Sequence, residues 1–485
     1  VYKQVPEKDS GHFLINEALI MSQFKINPLL NADSYKHSHF LQYPEGATAL
    51  SSYVEARKDN SGFGITHVTP FGLQGYIKDH LLTPITAKDV AQAAAVCKVH
   101  GEPFAEDAFR KVVEVYGGLA PITIRAVEEG RQVPIGNALI DVECHDKDML
   151  WMGSFYETQI LRAAWYGTTV ATVSRHCKEI IFKGLVDTCD KPLDELPFKL
   201  HDFGARGASS AETSAIAGAA HLVNFMGTDT MLGMEYANQF YGADYANLGF
   251  SIPAAEHSTI TSWGRNGEAQ AYRNMAEKFG NGLFAVVSDS YDIFNAVKNV
   301  WGGELRDFVL ALPGTLVVRP DSGDPVSVVR TVVGILADKF GYTTNGKGFK
   351  VLNKVRVIQG DGVNPTSIQA ILTALKMDGF SAENVAFGMG GALHQKIDRD
   401  TFSFAMKASA IEIDGKWNDV YKDPIAGGKT SKRGRLALVE DEKGELTTIR
   451  RENAMGRDDH LEVVYTGGKL IKELTFNEVR RNAAI

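Results

Sequence analysis

Nowhere does the chain hold about 18 apolar residues in succession, the least that a membrane-spanning helix needs. No segment joins a basic start, an apolar stretch and a small-residue cleavage site. The sequence therefore predicts neither a membrane span nor a secretory leader. Cysteine is scarce: Cys97, Cys144, Cys177 and Cys189 stand apart, with no C-x-x-C pair. That excludes a disulfide scaffold and a cysteine-built zinc site and suits a reducing cytoplasm. The His37-Ser-His39 pair reads as surface or core histidine, and no transition metal is expected. Positive charge is short as well. A net charge of -8 excludes the broad basic field that nucleic acid or an anionic membrane requires. It leaves room for a small anion gripped by a few local arginines. No repeat or low-complexity tract is present, which sets aside solenoids and propellers.

What is present is enough chain for more than one core. Single domains run to about 250 residues, and this chain has 485, of which 44% are hydrophobic and 23% charged. That balance is globular. Residues 1–21 are set apart as an extension or an expression remnant, with Met21 read as a start. From about 197 to 409, short apolar runs recur, most of them ending in a turn rich in Gly, Asp or Arg and followed by a helical pattern. FKL precedes HDFGARG, FSIP precedes AAEHST, LFAVV precedes SDSYD, TLVV precedes RPDSGDP, VRVI precedes QGDG, and VAF precedes GMGG. VNF before MGTDT and SFAMKAS at 403–409 bring the count to about eight strands. An α/β fold follows, an irregular (β/α) barrel over 166–409 carrying the active site. An open doubly wound sheet gives the same alternation, but polar tips on so many strands favour the barrel. The helix after His257 is expected to start at Ser258 or Thr259 and to pack Ile260, Trp263, Tyr272, Met275, Ala276 and Phe279 on the strands. Residues 22–165 and 410–485 are expected to form a second, mixed α+β domain, with hairpins around EKGE and TGGK and a short helix in FNEVRRNA.

If the polar turns share one end of the barrel, they gather Asp202, Asp229, Asp289, Asp321, Asp361, Arg206, Arg319 and Phe203 around one pocket. Glycines at 388–391 let the amides near Gly390 and Gly391 approach a phosphate, although such a turn alone is more often only a turn. Arg319 and Asp321 flank a proline-stiffened bend, suited to a carbonyl or phosphate and to a sugar diol; a surface turn with a local ion pair fits equally well. Asp289 could hold Mg2+ through water or simply cap a helix. Phe203, apolar among polar neighbours, could stack on a planar ring or pack in the core. Lys422, Lys429, Lys432, Arg433 and Arg435 crowd one glycine-containing segment, by default a solvated loop, which could also reach phosphates.

DSYK at 33–36, QYP at 42–44, HDFGARG, GTDT, PAAEHSTIT, VSDSYDI, RPDSG, RVIQGDGV, QKIDRD and KDP run in order from residue 33 to 424. Together they resemble the nicotinamide phosphoribosyltransferase family, one of the type II phosphoribosyltransferases, over almost the whole chain after Met21. The resemblance implies nicotinamide, phosphoribosyl pyrophosphate and ATP as substrates, Mg2+ as cofactor, and a cytoplasmic homodimer with active sites shared between subunits. Tyr35, Arg57, Arg399 and Lys407 would come from the partner copy. Nicotinamide would lie between Phe203 and Tyr35, its carboxamide read by Asp229 and Arg319. Asp321, Gly360 and Asp361 would hold the ribose, and Gly390, Gly391 and Arg399 the 5'-phosphate. Arg57, Lys407, Lys422, Lys429 and Asp289 would manage the pyrophosphate. His257 resembles the family's phosphorylated histidine, coupled to ATP hydrolysis. Met389, Ala392 and Ala285 depart from the family pattern and leave the shape beside the ring open. Two rivals stand: a nicotinate phosphoribosyltransferase, disfavoured by Asp229 because its charge repels a carboxylate, and a silent ligand-binding or signalling protein on the same fold.

Overall fold

The computed structural model describes residues 25–144, 146–423 and 431–485. Lys429 lies outside them. Six parallel strands form the sheet that the central apolar runs predict. In spatial order they are Gly227–Thr228, Leu200–Asp202, Val385–Met389, Val355–Gln359, Thr315–Arg319 and Leu283–Val287. The two edges meet through residues 250–255. Phe250 bridges to Gly227 at one edge and Ala254 to Ala285 at the other, both in the parallel sense. The result is an irregular α/β barrel.

Three expectations of strands give way. FSIP makes only the Phe250 bridge; Pro253 has no N–H to give and contributes its carbonyl alone, to the Ala285 amide at 2.9 Å. VNF caps and follows the helix Ala211–Leu222, and the strand begins at Gly227. Residues 403–409 are not a barrel strand. Ala405–Ile413 pairs antiparallel with Ala47–Glu55 in a separate seven-stranded sheet, ordered Lys416–Asp419, Ala405–Ile413, Ala47–Glu55, Ala138–Cys144, Thr123–Ala126, Glu462–Thr466 and Lys469–Leu470.

Two large cores correspond to the two sheets. Alternation sorts each barrel strand: Phe284, Val286, Leu316, Val318, Val357 and Phe387 face the helices. Ala285, Val317, Ile358 and Ala386 face inward, where they form a small cluster with Phe203 and Ile252. The 32-residue helix Glu157–Thr188 joins the cores. Its Ile160 and Ala164 pack with the antiparallel sheet, and Val170, Cys177, Ile181 and Leu185 with the barrel. No helix among the described residues is long and apolar enough to cross a membrane. The hairpins at EKGE and TGGK form, and the helix Phe476–Asn482 turns Phe476 and Val479 into the barrel core.

The helix after His257 breaks in two. His257–Thr261 starts after Glu256, without a side-chain cap, and Glu268–Phe279 resumes beyond a turn. Ile260, Tyr272 and Ala276 are buried as expected, whereas Trp263 and Phe279 are exposed.

Candidate active site

At the C-terminal tips of the barrel strands lies a cavity of about 700 Å³. Its walls include Phe203, Arg206, Asp229, His257, Arg319, Asp321, Gly360, Gly390 and Gly391. Phe203 and Gly391, 188 positions apart in sequence, thus share one space because parallel strands bring every strand tip to the same end.

Phe203 follows directly on Leu200–Asp202, and its amide donates to the Met389 carbonyl at 3.0 Å. Its ring stands over the inner cluster, 5.3 Å from the His201 ring. Asp229 follows Gly227–Thr228. Its Oδ1 accepts from Nε2 of His201 at 2.9 Å and from Oγ of Ser251 at 2.6 Å, and Oδ2 takes no hydrogen bond from the described residues. Burial pushes this carboxyl up, but the His201 and Ser251 bonds outweigh it and hold it below the usual carboxylate range. It is an anion with one oxygen left to accept.

Arg319 ends the strand Thr315–Arg319, with its guanidinium 4.0 Å from Asp321 and its buried Nε unpartnered among the described residues. A buried donor without an acceptor is costly unless a ligand supplies one. Burial raises the Asp321 carboxyl, the Arg319 charge opposes that, and the Asp289 charge adds to it. A Cβ on Gly360 would fall 2.9 Å from Oδ1 of Asp321, so glycine is what lets that loop close on the carboxylate. Gly360 also borders a second space of about 830 Å³, lined by Asp361 and shared at Gly390 and Gly391.

His257 donates through Nε2 to Oδ1 of Asp289 at 3.0 Å, and Oγ of Ser322 donates to Oδ2 at 2.6 Å. The histidine side chain is 47% exposed and the aspartate 5%, so the acid is a support behind a presented imidazole. Among the described residues, no group of three His, Cys, Asp or Glu side chains is arranged to hold a metal ion.

Several predicted residues stand elsewhere. Asp202 is fully buried and pairs with His394: it shares the outward face of its strand with Leu200, whereas His201 faces inward. Tyr35, Arg57, Arg399, Lys407 and Lys422 do not line the cavity. Tyr35 is exposed. Arg57 donates to the Ser403 carbonyl at 2.9 Å, and Arg399 pairs with Asp400. Lys407 sits opposite Tyr53 in the antiparallel sheet. Of the cations near 430, Lys432 pairs with Glu55 and Arg435 with Glu143, and Arg433 covers the Tyr421 ring at 4.0 Å. That density serves the fold. Sequence reasoning passed over His201, Ser251 and Ser322. For His201 a signal existed, since it lies on the strand face opposite to two buried neighbours.

An irregular barrel with an aromatic ring, an arginine–carboxylate pair and a glycine turn at one mouth defines a phosphoribosyltransferase-type fold. Two solved structures share it: nicotinate-nucleotide pyrophosphorylase from Pyrococcus furiosus (TM-score 0.61, 16% identity, 96% of this chain and 97% of that one) and human nicotinic acid phosphoribosyltransferase (0.55, 18%, 93% and 92%). Residues 198–456 match the Nicotinate phosphoribosyltransferase (NAPRTase) family, and residues 27–124 the Nicotinamide phosphoribosyltransferase, N-terminal domain. A nicotinamide phosphoribosyltransferase of Xanthomonas campestris pv. campestris (strain 8004) is 50% identical over 94% of this chain and 98% of its own. The chain belongs to the nicotinamide phosphoribosyltransferase family.

Proposed function

We propose that this enzyme joins nicotinamide to phosphoribosyl pyrophosphate, forming nicotinamide mononucleotide and releasing pyrophosphate. The observation that carries the reading is the cavity in which an anionic Asp229, the unpartnered Nε of Arg319, the Phe203 ring and the Gly390–Gly391 turn share one wall. The carboxamide N–H2 donates to Asp229, and its carbonyl oxygen accepts from Arg319. Asp321, Gly360 and Asp361 hold the ribose hydroxyls, while the Gly390 and Gly391 amides receive the 5'-phosphate.

The ring nitrogen of nicotinamide already carries the lone pair that attacks the anomeric carbon. As the bond from that carbon to the pyrophosphate oxygen breaks, positive charge grows on the ribose, and the nearby carboxylates stabilise it. No catalytic serine, cysteine or general base is needed. Bound with the pyrophosphate, Mg2+ would supply positive charge that neutralises the leaving group. Asp289 would support such an ion from behind, its oxygens being engaged by His257 and Ser322, and among the described residues no side-chain cage for a metal is formed. Arg57, Lys407, Lys422 and Lys429 would complete the pyrophosphate grip, and Tyr35 and Arg399 the ring stack and the phosphate seat. Because Tyr35, Arg57, Arg399 and Lys407 stand away from the cavity of their own chain, a second copy in a homodimer supplies them. His257, supported by Asp289, accepts phosphate from ATP and couples its hydrolysis to the forward reaction. The chemistry suits the cytoplasm.

The family match over 198–456 includes nicotinate in its description, which makes nicotinate phosphoribosyl transfer the second reading. Asp229 opposes it, for two carboxylates would face each other in a partly desolvated pocket. The deciding experiment incubates the protein with phosphoribosyl pyrophosphate, Mg2+ and either base, with and without ATP, and identifies the products. Absence of nicotinamide mononucleotide would overturn the proposal.

A further inference from the structure

The two turns assigned to opposite ends of the ligand are joined behind the cavity by a buried pair. Asp202 and His394 are both fully buried. Nε2 of His394 lies 2.9 Å from Oδ1 and 3.0 Å from Oδ2 of Asp202, and Oδ1 also accepts the Gly204 amide at 2.7 Å. His394 closes the short helix Gly391–His394 that continues the glycine turn, and its carbonyl accepts the Tyr166 hydroxyl at 2.9 Å. The fit is tight. A Cβ on Gly204 would fall 2.3 Å from the His394 ring, and one on Gly207 would fall 3.3 Å from Cα of Gly391. Burial pushes the Asp202 carboxyl up, yet the His394 and Gly204 bonds outweigh it and keep it ionised. Removing the histidine would strand that buried charge and release one turn from the other.

We propose that the Asp202–His394 pair is a positioning device that sets the span between the Phe203 ring and the Gly390–Gly391 amides, and so the fit of any ligand that reaches from one to the other. This rests on the reading of the cavity given above. Neither side chain lines the cavity, so the pair acts through the two turns. A ligand that engages both turns depends on it; a ligand that uses one does not.

Calorimetric titration of the full chain separates these cases, with nicotinamide mononucleotide as the spanning ligand and ribose 5-phosphate as the one-ended ligand. His394→Leu is expected to weaken nicotinamide mononucleotide about tenfold or more while changing ribose 5-phosphate by less than about twofold. His394→Gln, whose amide can donate to Asp202, is expected to recover most of the loss. Nicotinamide mononucleotide affinity within about twofold of the parent in the leucine variant would overturn the proposal. So would a parallel loss of both ligands with an unaltered far-ultraviolet circular dichroism spectrum. Should the leucine variant not fold, Asp202→Asn carries the same comparison, since it keeps the acceptor for Gly204 and removes the buried charge. A parent that binds no nicotinamide mononucleotide sinks the reading of the cavity and the pair with it; a binding parent with unchanged variants sinks the pair alone.

Discussion

A Cβ on Gly388 would fall 2.0 Å from Cε2 of Phe203: the aromatic ring occupies the space in which any other side chain at 388 would begin. The glycine therefore seats the Phe203 ring that is proposed to stack on nicotinamide. Gly388→Ala must push the ring off its seat, and overpacking of this kind costs about 1–3 kcal/mol. The expected result is a KM for nicotinamide raised about tenfold, with a much smaller change in the KM for phosphoribosyl pyrophosphate. Steady-state kinetics with each substrate varied in turn checks it, and equal changes in both KM values would count against the ring as the local target.

In the proposed reading, the choice of base rests on one oxygen. His201 and Ser251 both bond Oδ1 of Asp229, which orients the carboxylate and leaves Oδ2 to accept from a carboxamide. A hydrogen bond to a charged group contributes about 1.5–3 kcal/mol. Asp229→Ser is therefore expected to lower the kcat/KM preference for nicotinamide over nicotinate by about tenfold or more. An unchanged ratio would remove Asp229 from the recognition of the base.

Much of the barrel was legible because LFAVV, TLVV, VRVI and VAF are short apolar runs that end in polar tips, and each became a strand of the parallel sheet. The misplaced strand at 405–413 shows the limit of that signal. Its local pattern fits a barrel strand and an antiparallel strand alike, and only its distant partner, Ala47–Glu55, decides between them. The site was legible wherever a residue lies at or just beyond a strand tip, as with Phe203, Asp229, Arg319 and Asp321. Asp202 misled because a strand alternates its faces, and one residue of offset moves an acid from the mouth to the back of the barrel. Tyr35 and Arg57 are assigned to the site by family resemblance alone, since nothing in their local sequence points to a cavity that their own chain does not bring near them.

His221 gives the fold an acid-sensitive point. It is fully buried, with Nε2 bonded to the Gly227 carbonyl at 3.1 Å and Nδ1 to Oγ of Ser174 at 3.0 Å. That pattern satisfies the neutral ring, with one nitrogen donating and the other accepting. Burial pushes its pKa down from 6.5 to about 4, against the pull of Asp202. Between these two values the unfolded chain binds the proton and the folded chain does not, so stability rises with pH through that window. It is fully present above about pH 6.5 and is lost progressively as pH falls toward 4, by about 3 kcal/mol. Urea unfolding at pH 7 and pH 5 checks this. His221→Gln should flatten the difference, and an equally steep loss in that variant would place the sensitivity elsewhere.

The histidine at the cavity mouth is arranged differently from His221. His257 presents a half-exposed ring, and its side-chain partner Asp289 is itself held from behind by Ser322. With Nε2 engaged by the carboxylate, Nδ1 is the nitrogen left to face a phosphoryl donor. A carboxylate in this position also stabilises the imidazolium charge that forms when the ring attacks. Incubation with ATP labelled in the γ-phosphate is expected to leave acid-labile phosphate on His257 during turnover. Asp289→Asn should reduce the labelling rate by about tenfold or more, and Ser322→Ala should reduce it less, because that change removes only the outer hydrogen bond. His257→Ala should remove the label and the stimulation by ATP together while leaving ATP-independent transfer measurable. A label that persists in His257→Ala, or ATP stimulation without any label, would detach this residue from the coupling and leave the Asp289–His257 contact as part of pyrophosphate binding alone.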